Sequence, residues 1–171
     1  MSNAPTTHVI ITGARFHPDV RKVTTELARI VLDAPGWVVV RHGACPGEDS
    51  VDQAVHEWIA DCGEALGVIE DAMPADWDHC TAACPEGHRI RKRPGDVYHP
   101  GKLPDYCPAA GVRRNRAMVE KQPKAAVLIA APYRVSRGTK NCIRLAKQAQ
   151  IPVRIIWAPV PAPKFLSEAM F

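Results

Sequence analysis

With 171 residues, 46% of them hydrophobic, and a formal net charge of +4, the chain has the size and composition of one globular domain that buries a core without disulfide staples. No apolar run approaches the ~18 residues of a membrane-spanning helix, and so small a charge permits nucleic-acid binding without arguing for it. The opening MSNAPTTH lacks a basic region followed by an apolar core. A cytoplasmic location is therefore expected, where six cysteines read as thiols or metal ligands in preference to disulfides.

Residues 8–12 (HVIIT) form an uninterrupted β-branched run, as in a parallel strand buried on both faces, and end in Gly13-Ala14-Arg15. A helix is expected from His17-Pro18-Asp19 onward, with Val20, Val23, Leu27, Ile30 and Val31 at helical spacing. A second strand falls at 37–41. A small-residue loop at 42–47 then leads into a helix over about 48–62, whose Val51, Ala54, Val55, Trp58 and Ile59 share one face. A short third strand falls near 67–70. Residues 74–110 make an irregular insertion rich in Pro, Gly, His, Cys and Arg. Helical pattern returns at 111–121, a fourth strand at 125–130, a helix after 136–139 and a fifth strand at 153–157. Residues 158–171 read as a Pro-rich tail with a hydrophobic end.

Five apolar strands alternating with helices predict a Rossmann-like three-layer α/β sandwich on a parallel sheet of about five strands. Residues 1–171 form a single domain in this reading, with its core in 8–157 and the Cys/His-containing insertion and the tail added to it. Ligands of such sheets bind outside the carboxyl ends of the strands, here the loops 13–16, 42–48, 71–77 and 131–139.

Those loops, and the helical segments just after them, hold the candidate ligand-binding residues. Gly13 would let a ligand approach the backbone and Arg15 would fork a phosphate, unless the pair is a plain strand-end turn with a solvated arginine. His42, Gly43 and Gly47 form the second loop, with Asp49 and Asp52 at the helix start beyond it. Carboxylates there oppose a bare phosphate and suit ribose or base hydroxyls, and Asp49 also suits a helix cap. Arg113, Asn115 and Arg116 lie in an arginine-dense turn that either meets an anion or forms a solvated basic face. Ser136, Gly138 and Thr139 offer hydroxyls and free N–H groups to a phosphate at a helix start. No Ser–His–Asp or Cys–His order announces an enzyme. Were the site hydrolytic, Asp49 or Asp52 would be the general base, with Arg15 and Arg113 on phosphate.

In the insertion, Cys80-x3-Cys84-x3-His88 together with Cys107 makes a Cys3His set sufficient for a closed, structural zinc, with His79 and His99 as spare ligands. A metal would explain how a segment with little apolar content folds. A flexible loop with free thiols, or a disulfide such as Cys80–Cys84 or Cys84–Cys107, are the other readings. The basic run at 88–93 is either a nucleic-acid contact or a solvated loop.

The succession ITGARFH, RHGACPGEDSVDQAVHEW, PADW, AGVRRNRAMV, SRGT and IPVRII resembles the SLOG superfamily of Rossmann-like proteins, in its YspA/cpYpsA-related (DUF2493-like) branch, over residues 8–157. The resemblance implies binding of a nucleotide or nucleotide-derived ligand, in a sensor or a processing protein. More distant members include the cytokinin-activating phosphoribohydrolases, with a PGGxGTxxE signature, and the DNA-processing protein DprA. The corresponding stretch here, APYRVSRGTKNCI, keeps Gly138-Thr139, lacks the double glycine and has Asn141-Cys142 where the catalytic Glu would stand. Three functions are thus carried forward: a nucleotide-binding protein, a nucleotide hydrolase acting on an N-glycosidic or phosphate bond, and a DprA-like single-stranded-DNA-binding module. The expected partners are a nucleotide-derived small molecule and a second copy of the chain.

Overall fold

The computed structural model describes residues 5–159, so most of the predicted tail lies outside the described residues. The elements are β1 (Thr6–Gly13), α1 (Arg21–Asp33), β2 (Trp37–His42), α2 (Val51–Leu66), β3 (Val68–Ala72), β4 (Ile90–Arg91), β5 (Asp105–Tyr106), α3 (Ala110–Glu120), β6 (Val127–Ala131), α4 (Arg137–Gln148) and β7 (Val153–Ile155). Five strands form one wholly parallel sheet in the order β3-β2-β1-β6-β7, between two helical layers. This is the Rossmann-like three-layer sandwich expected from the alternation of strand and helix patterns. β1 lies at the centre, and the chain reverses direction across the sheet between β1 and β6.

Side-chain alternation explains why the central strands are apolar throughout. Val9 and Ile11 of β1, with Val127, Ile129 and Ala131 of β6, pack among Val23 and Leu27 of α1 and Val51, Val55 and Ile59 of α2. Ile10, Leu128 and Ala130 point to the other face, onto Met118 and Val119 of α3 and Cys142, Leu145 and Ala146 of α4. Each fully buried Val, Leu or Ile stabilises the fold by ~1.5–3 kcal/mol relative to leaving it in water. α2 ends at Gly67, whose φ of 68° sets the left-handed cap and whose N–H bonds the carbonyls of Gly63 and Glu64.

Local differences from the sequence reading have identifiable causes. Residues 18–20 form a turn ahead of α1, because the segment after β1 is laid against the α2 entry by His17 N–H donating to the Asp49 carbonyl (2.9 Å). For the same reason α2 begins at Val51 and not near residue 48. Arg41 sits within the predicted second strand yet is 2% exposed. It donates to Asp71 (2.8 Å) and to the carbonyls of Met118 (2.8 Å) and Lys121 (3.1 Å), a cation closing the carboxyl end of α3. The insertion contains a small antiparallel ribbon, Ile90 opposite Tyr106 and Arg91 opposite Asp105, too short to leave a periodic signal in the sequence.

Candidate functional site

A crevice of about 670 Å³ opens at the carboxyl ends of β1, β2, β3 and β6, where the sheet reverses its winding. Its floor is Thr12–Ala14 and Gly43–Pro46. One wall is the turn into α4, Tyr133–Thr139 with Asn141, and the other is α3 through Gly111, Val112, Arg114 and Asn115. The insertion folds over the top and contributes Trp77, Tyr98, Pro100 and Pro108.

Of the residues singled out from sequence, Gly13, Arg15, Gly43, Asp52, Asn115, Ser136, Gly138 and Thr139 all line this crevice. Gly13 is required by packing as well, because a Cβ there would collide with the Val51 side chain. Arg15 reaches the insertion, with its guanidinium 5.0 Å over the Tyr98 ring and 3.4 Å from His99 Nε2. Asp52 is 6% exposed and accepts from the Cys45 N–H (3.0 Å). Burial pushes its carboxyl above the ordinary carboxylate range, against the opposing pull of Arg114, His42 and the N–H groups of Cys45 and Gly43. Asn115 donates to the Gly138 carbonyl (3.0 Å) and to Asn141 (3.2 Å), tying α3 to the start of α4. Ser136 turns back on Tyr133, accepting from its N–H (2.9 Å) and donating to its carbonyl (2.5 Å), so no side chain caps the start of α4, whose first residues line the crevice.

Five candidates stand elsewhere. His42 is 1% exposed and faces away from the crevice: Nδ1 accepts from the Ala44 N–H (3.2 Å) and Nε2 donates to Glu70 (2.7 Å). Gly47, at φ +119°, turns the chain beside Tyr98 outside the lining. Asp49 is exposed and does not cap α2, whose N-cap is Ser50. Arg113 points into the insertion, and Arg116 is exposed to solvent. The arginine that enters the crevice is Arg114, which donates to the carbonyls of Gly43 and Met73 (the latter at 3.2 Å) and to Asn115 Oδ1 (3.1 Å). Arg113 and Arg116, expected to share a face toward the ligand, both lie off the crevice lining. Burial of Asn115, Met118 and Val119 fixes the rotation of α3, and Arg114 is the arginine adjacent to that buried stripe. Cys142, beside the position of the expected Glu, is wholly buried and its thiol is pushed up to about 11 by that burial.

The second constellation lies in the insertion. The Sγ atoms of Cys80, Cys84 and Cys107 and an imidazole nitrogen of His88 lie within 4.8 Å of one another, a set that can hold a metal ion. Pairwise, Cys80 to His88 is 3.5 Å, His88 to Cys107 3.2 Å and Cys84 to Cys107 3.8 Å. The cysteines are free thiols, and 3.8 Å is far beyond the ~2.05 Å of a disulfide. His88 donates from Nδ1 to the Pro85 carbonyl (2.5 Å), which leaves Nε2 turned to the sulfurs as a ligand nitrogen must be. Arg89 donates to Cys80 (3.3 Å) and Arg113 to Cys107 (3.2 Å), so two guanidiniums face the group as they would face thiolates. Burial raises the Cys107 thiol, yet hydrogen bonds from His88, Arg113, the Ala109 N–H and Cys84 outweigh it and bring it to about 6. His79, bonded to Asp76 (2.8 Å), and His99, bonded to Asp96 (2.7 Å), stand outside the cluster. Of the basic run, Arg89 is held by Asp105 (2.7 Å) and Lys92 by the Gly101 carbonyl (3.3 Å), while Arg91 and Arg93 are exposed.

Fold and site therefore define a Rossmann-like α/β protein with a switch-point crevice and a Cys/His cluster in its covering insertion. The chain is 31% identical over 146 residues to the Gene 61 protein of Mycobacterium phage D29, a match covering 85% of this chain and 92% of that one. It belongs to the same protein family as that phage protein. No family model matches the chain, and no solved structure matches it. Among the described residues, no helix is long and apolar enough to cross a membrane.

Proposed function

We propose that the crevice binds a nucleotide or nucleotide-derived ligand, in keeping with the SLOG resemblance, and that the protein acts as a sensor or processing protein for it. The observation that carries this reading is the composition of one cavity at the switch point. It brings together guanidiniums (Arg15, Arg114), the open start of α4, hydroxyl-pairing groups (Asp52, Asn115) and aromatic rings (Phe16, Trp77, Tyr98, Tyr133). Phosphate suits the N–H groups and guanidiniums, ribose hydroxyls suit the carboxylate and amide, and a planar base suits the rings. Titration calorimetry against a nucleotide panel, with mass spectrometry of any co-purifying small molecule, tests it. Binding that disappears in Arg114→Ala supports the assignment, and a panel with no binder overturns it.

The hydrolase reading is favoured by one observation. Asp52 is a buried carboxyl in the crevice with an elevated pKa, a condition suited to general acid–base work. Release of free base or phosphate from a bound nucleotide, lost in Asp52→Asn, would establish it over simple binding.

For the cluster we propose a structural zinc. Tetrahedral coordination at about 2.3 Å for sulfur and about 2.0–2.1 Å for nitrogen places sulfurs about 3.8 Å apart and sulfur from nitrogen about 3.6 Å. The observed 3.8 Å (Cys84 to Cys107) and 3.5 Å (Cys80 to His88) fit that geometry, while the 3.2 Å from His88 to Cys107 is shorter than it. With four protein ligands no coordination position remains for substrate, so the ion would fold the insertion and take no part in a reaction. Elemental analysis should find about one zinc per chain.

A further inference from the structure

The insertion carries two features that the proposed function leaves separate: the Cys/His cluster and the aromatic side of the crevice. They are joined by short, direct contacts. The Cys107 N–H donates to the Trp77 carbonyl at 2.9 Å, so one metal-ligand residue fixes the backbone of a crevice-lining tryptophan. Pro108, next in the chain, lines the crevice itself. Arg113, bonded to Cys107, also donates to the His79 carbonyl at 2.7 Å and so ties the segment after Trp77 to α3.

The rings form a chain from the cluster to the ligand space. Tyr106, the residue before Cys107, stacks on His99 at 3.8 Å with the planes 5° apart, and Trp77 meets both edge-on at 5.9 and 4.6 Å. His99 is held by Asp96 and touches Arg15, and Arg15 lies over Tyr98, which in turn packs on Phe16 at 5.5 Å. The Trp77 ring rests on Gly111 of α3, where an added Cβ would stand 3.2 Å from it. Beyond these contacts the insertion is held by the β4–β5 ribbon and a few hydrogen bonds such as Arg89 to Asp105, with almost no apolar core. Among the described residues 74–109, Cys107 alone belongs to the buried hydrophobic set.

We propose that metal occupancy of the Cys80–Cys84–His88–Cys107 cluster builds the wall of the crevice, Trp77 and Tyr98, that receives the planar ring of the ligand. The phosphate-facing groups carried by the core, the start of α4 and Arg114, are independent of the metal, and only Arg15 touches the insertion, through His99 and Tyr98. Metal and ring-bearing ligand are then thermodynamically linked, each strengthening the binding of the other. This rests on the nucleotide reading of the crevice, and it predicts which part of such a ligand the metal controls.

The test uses the full chain, zinc-loaded and chelator-treated, with ATP and inorganic tripolyphosphate as probes. Stripping the metal should weaken ATP by about tenfold, the scale of one lost base–aromatic stack, and weaken tripolyphosphate far less, because Arg114 and the start of α4 stay in place. Trp77→Ala should reproduce the ATP loss with full metal content, which separates the wall from the metal site. Equal weakening of both probes, or ATP affinity indifferent to metal and to Trp77→Ala, overturns the proposal. Hydrogen exchange supplies an arm without ligand. Chelation should expose the amides of residues 77–80 and 105–107 while β1 and β6 stay protected. If the zinc-loaded protein binds neither probe, the nucleotide reading fails, and with it the ring-receiving role. Exchange unaltered by chelation overturns the coupling of metal to wall.

Discussion

The sheet-and-helix core and the insertion that covers its crevice are stabilised by different physics. Val9, Ile11, Leu27, Val55, Leu128 and Ile129 of the core are essentially closed to water, and their burial is non-directional and distributed over many contacts. In residues 74–109, Ile90, Val97 and Leu103 remain exposed. That segment relies on a few directed interactions: Asp78 accepting from the Lys102 N–H (2.6 Å), Arg89 on Asp105, the stacked rings, and the contacts within the Cys/His cluster. A distributed core loses stability by increments. A segment held by one cluster loses its structure at once when the cluster fails.

The largest expected effect follows from that contrast. With the proposed zinc bound, removing it, or changing Cys84→Ser, should unfold the insertion while the core melts as before, because structural zinc supplies ~10–16 kcal/mol in small zinc-dependent units. Circular dichroism with exchange mapping would show this, and simultaneous melting of both regions would break the comparison. Next is Leu128→Ala, expected to lower the stability of the core by ~2–5 kcal/mol in denaturant titration with zinc content unchanged. Arg41→Met, which leaves Asp71 to Lys121 alone and strands the carbonyls at the end of α3, should cost ~1–3 kcal/mol and likewise spare the insertion.

Acid sensitivity distinguishes two carboxylates of the core. Burial raises the Asp71 carboxyl, but hydrogen bonds from Arg41 and Lys121 outweigh it and hold it below its ordinary value of 3.8. Its contribution to stability is therefore present above about 3.8 and lost as pH falls through the lower folded value, so Asp71→Asn should flatten the acid limb of the stability curve. Asp52 has the opposite sign. Its raised pKa makes stability fall as pH rises from 3.8 toward the folded value, and Asp52→Asn should remove that loss.

The smallest and most diagnostic series is along one turn of α3. Arg114→Ala should weaken crevice binding, Arg113→Ala should loosen metal retention, and Arg116→Ala should shift stability by less than about 0.5 kcal/mol. A series in which Arg113→Ala costs the nucleotide and Arg114→Ala the metal would reverse the assignment of the two faces.

The strands, their parallel arrangement and the loops at their carboxyl ends were determined by the sequence alone, because continuous apolar runs such as HVIIT and VLIA can only be buried on both faces. The Cys80, Cys84, His88 and Cys107 set was equally legible, since ligand chemistry is carried by residue type and spacing. Tertiary structure decided which polar side chains face the crevice. His42 and Arg113 have the right chemistry in the right segments, but the pairing of β2 with β3 presents Glu70 to the first, and the rotation of α3 gives the second to the thiols. Arg41, an arginine inside a strand, is reconciled with burial by Asp71 of the neighbouring strand and by the carbonyls that end α3 about eighty residues on. Side-chain periodicity fixes which elements exist, while the direction of one polar group is set by a few contacts that no local pattern encodes.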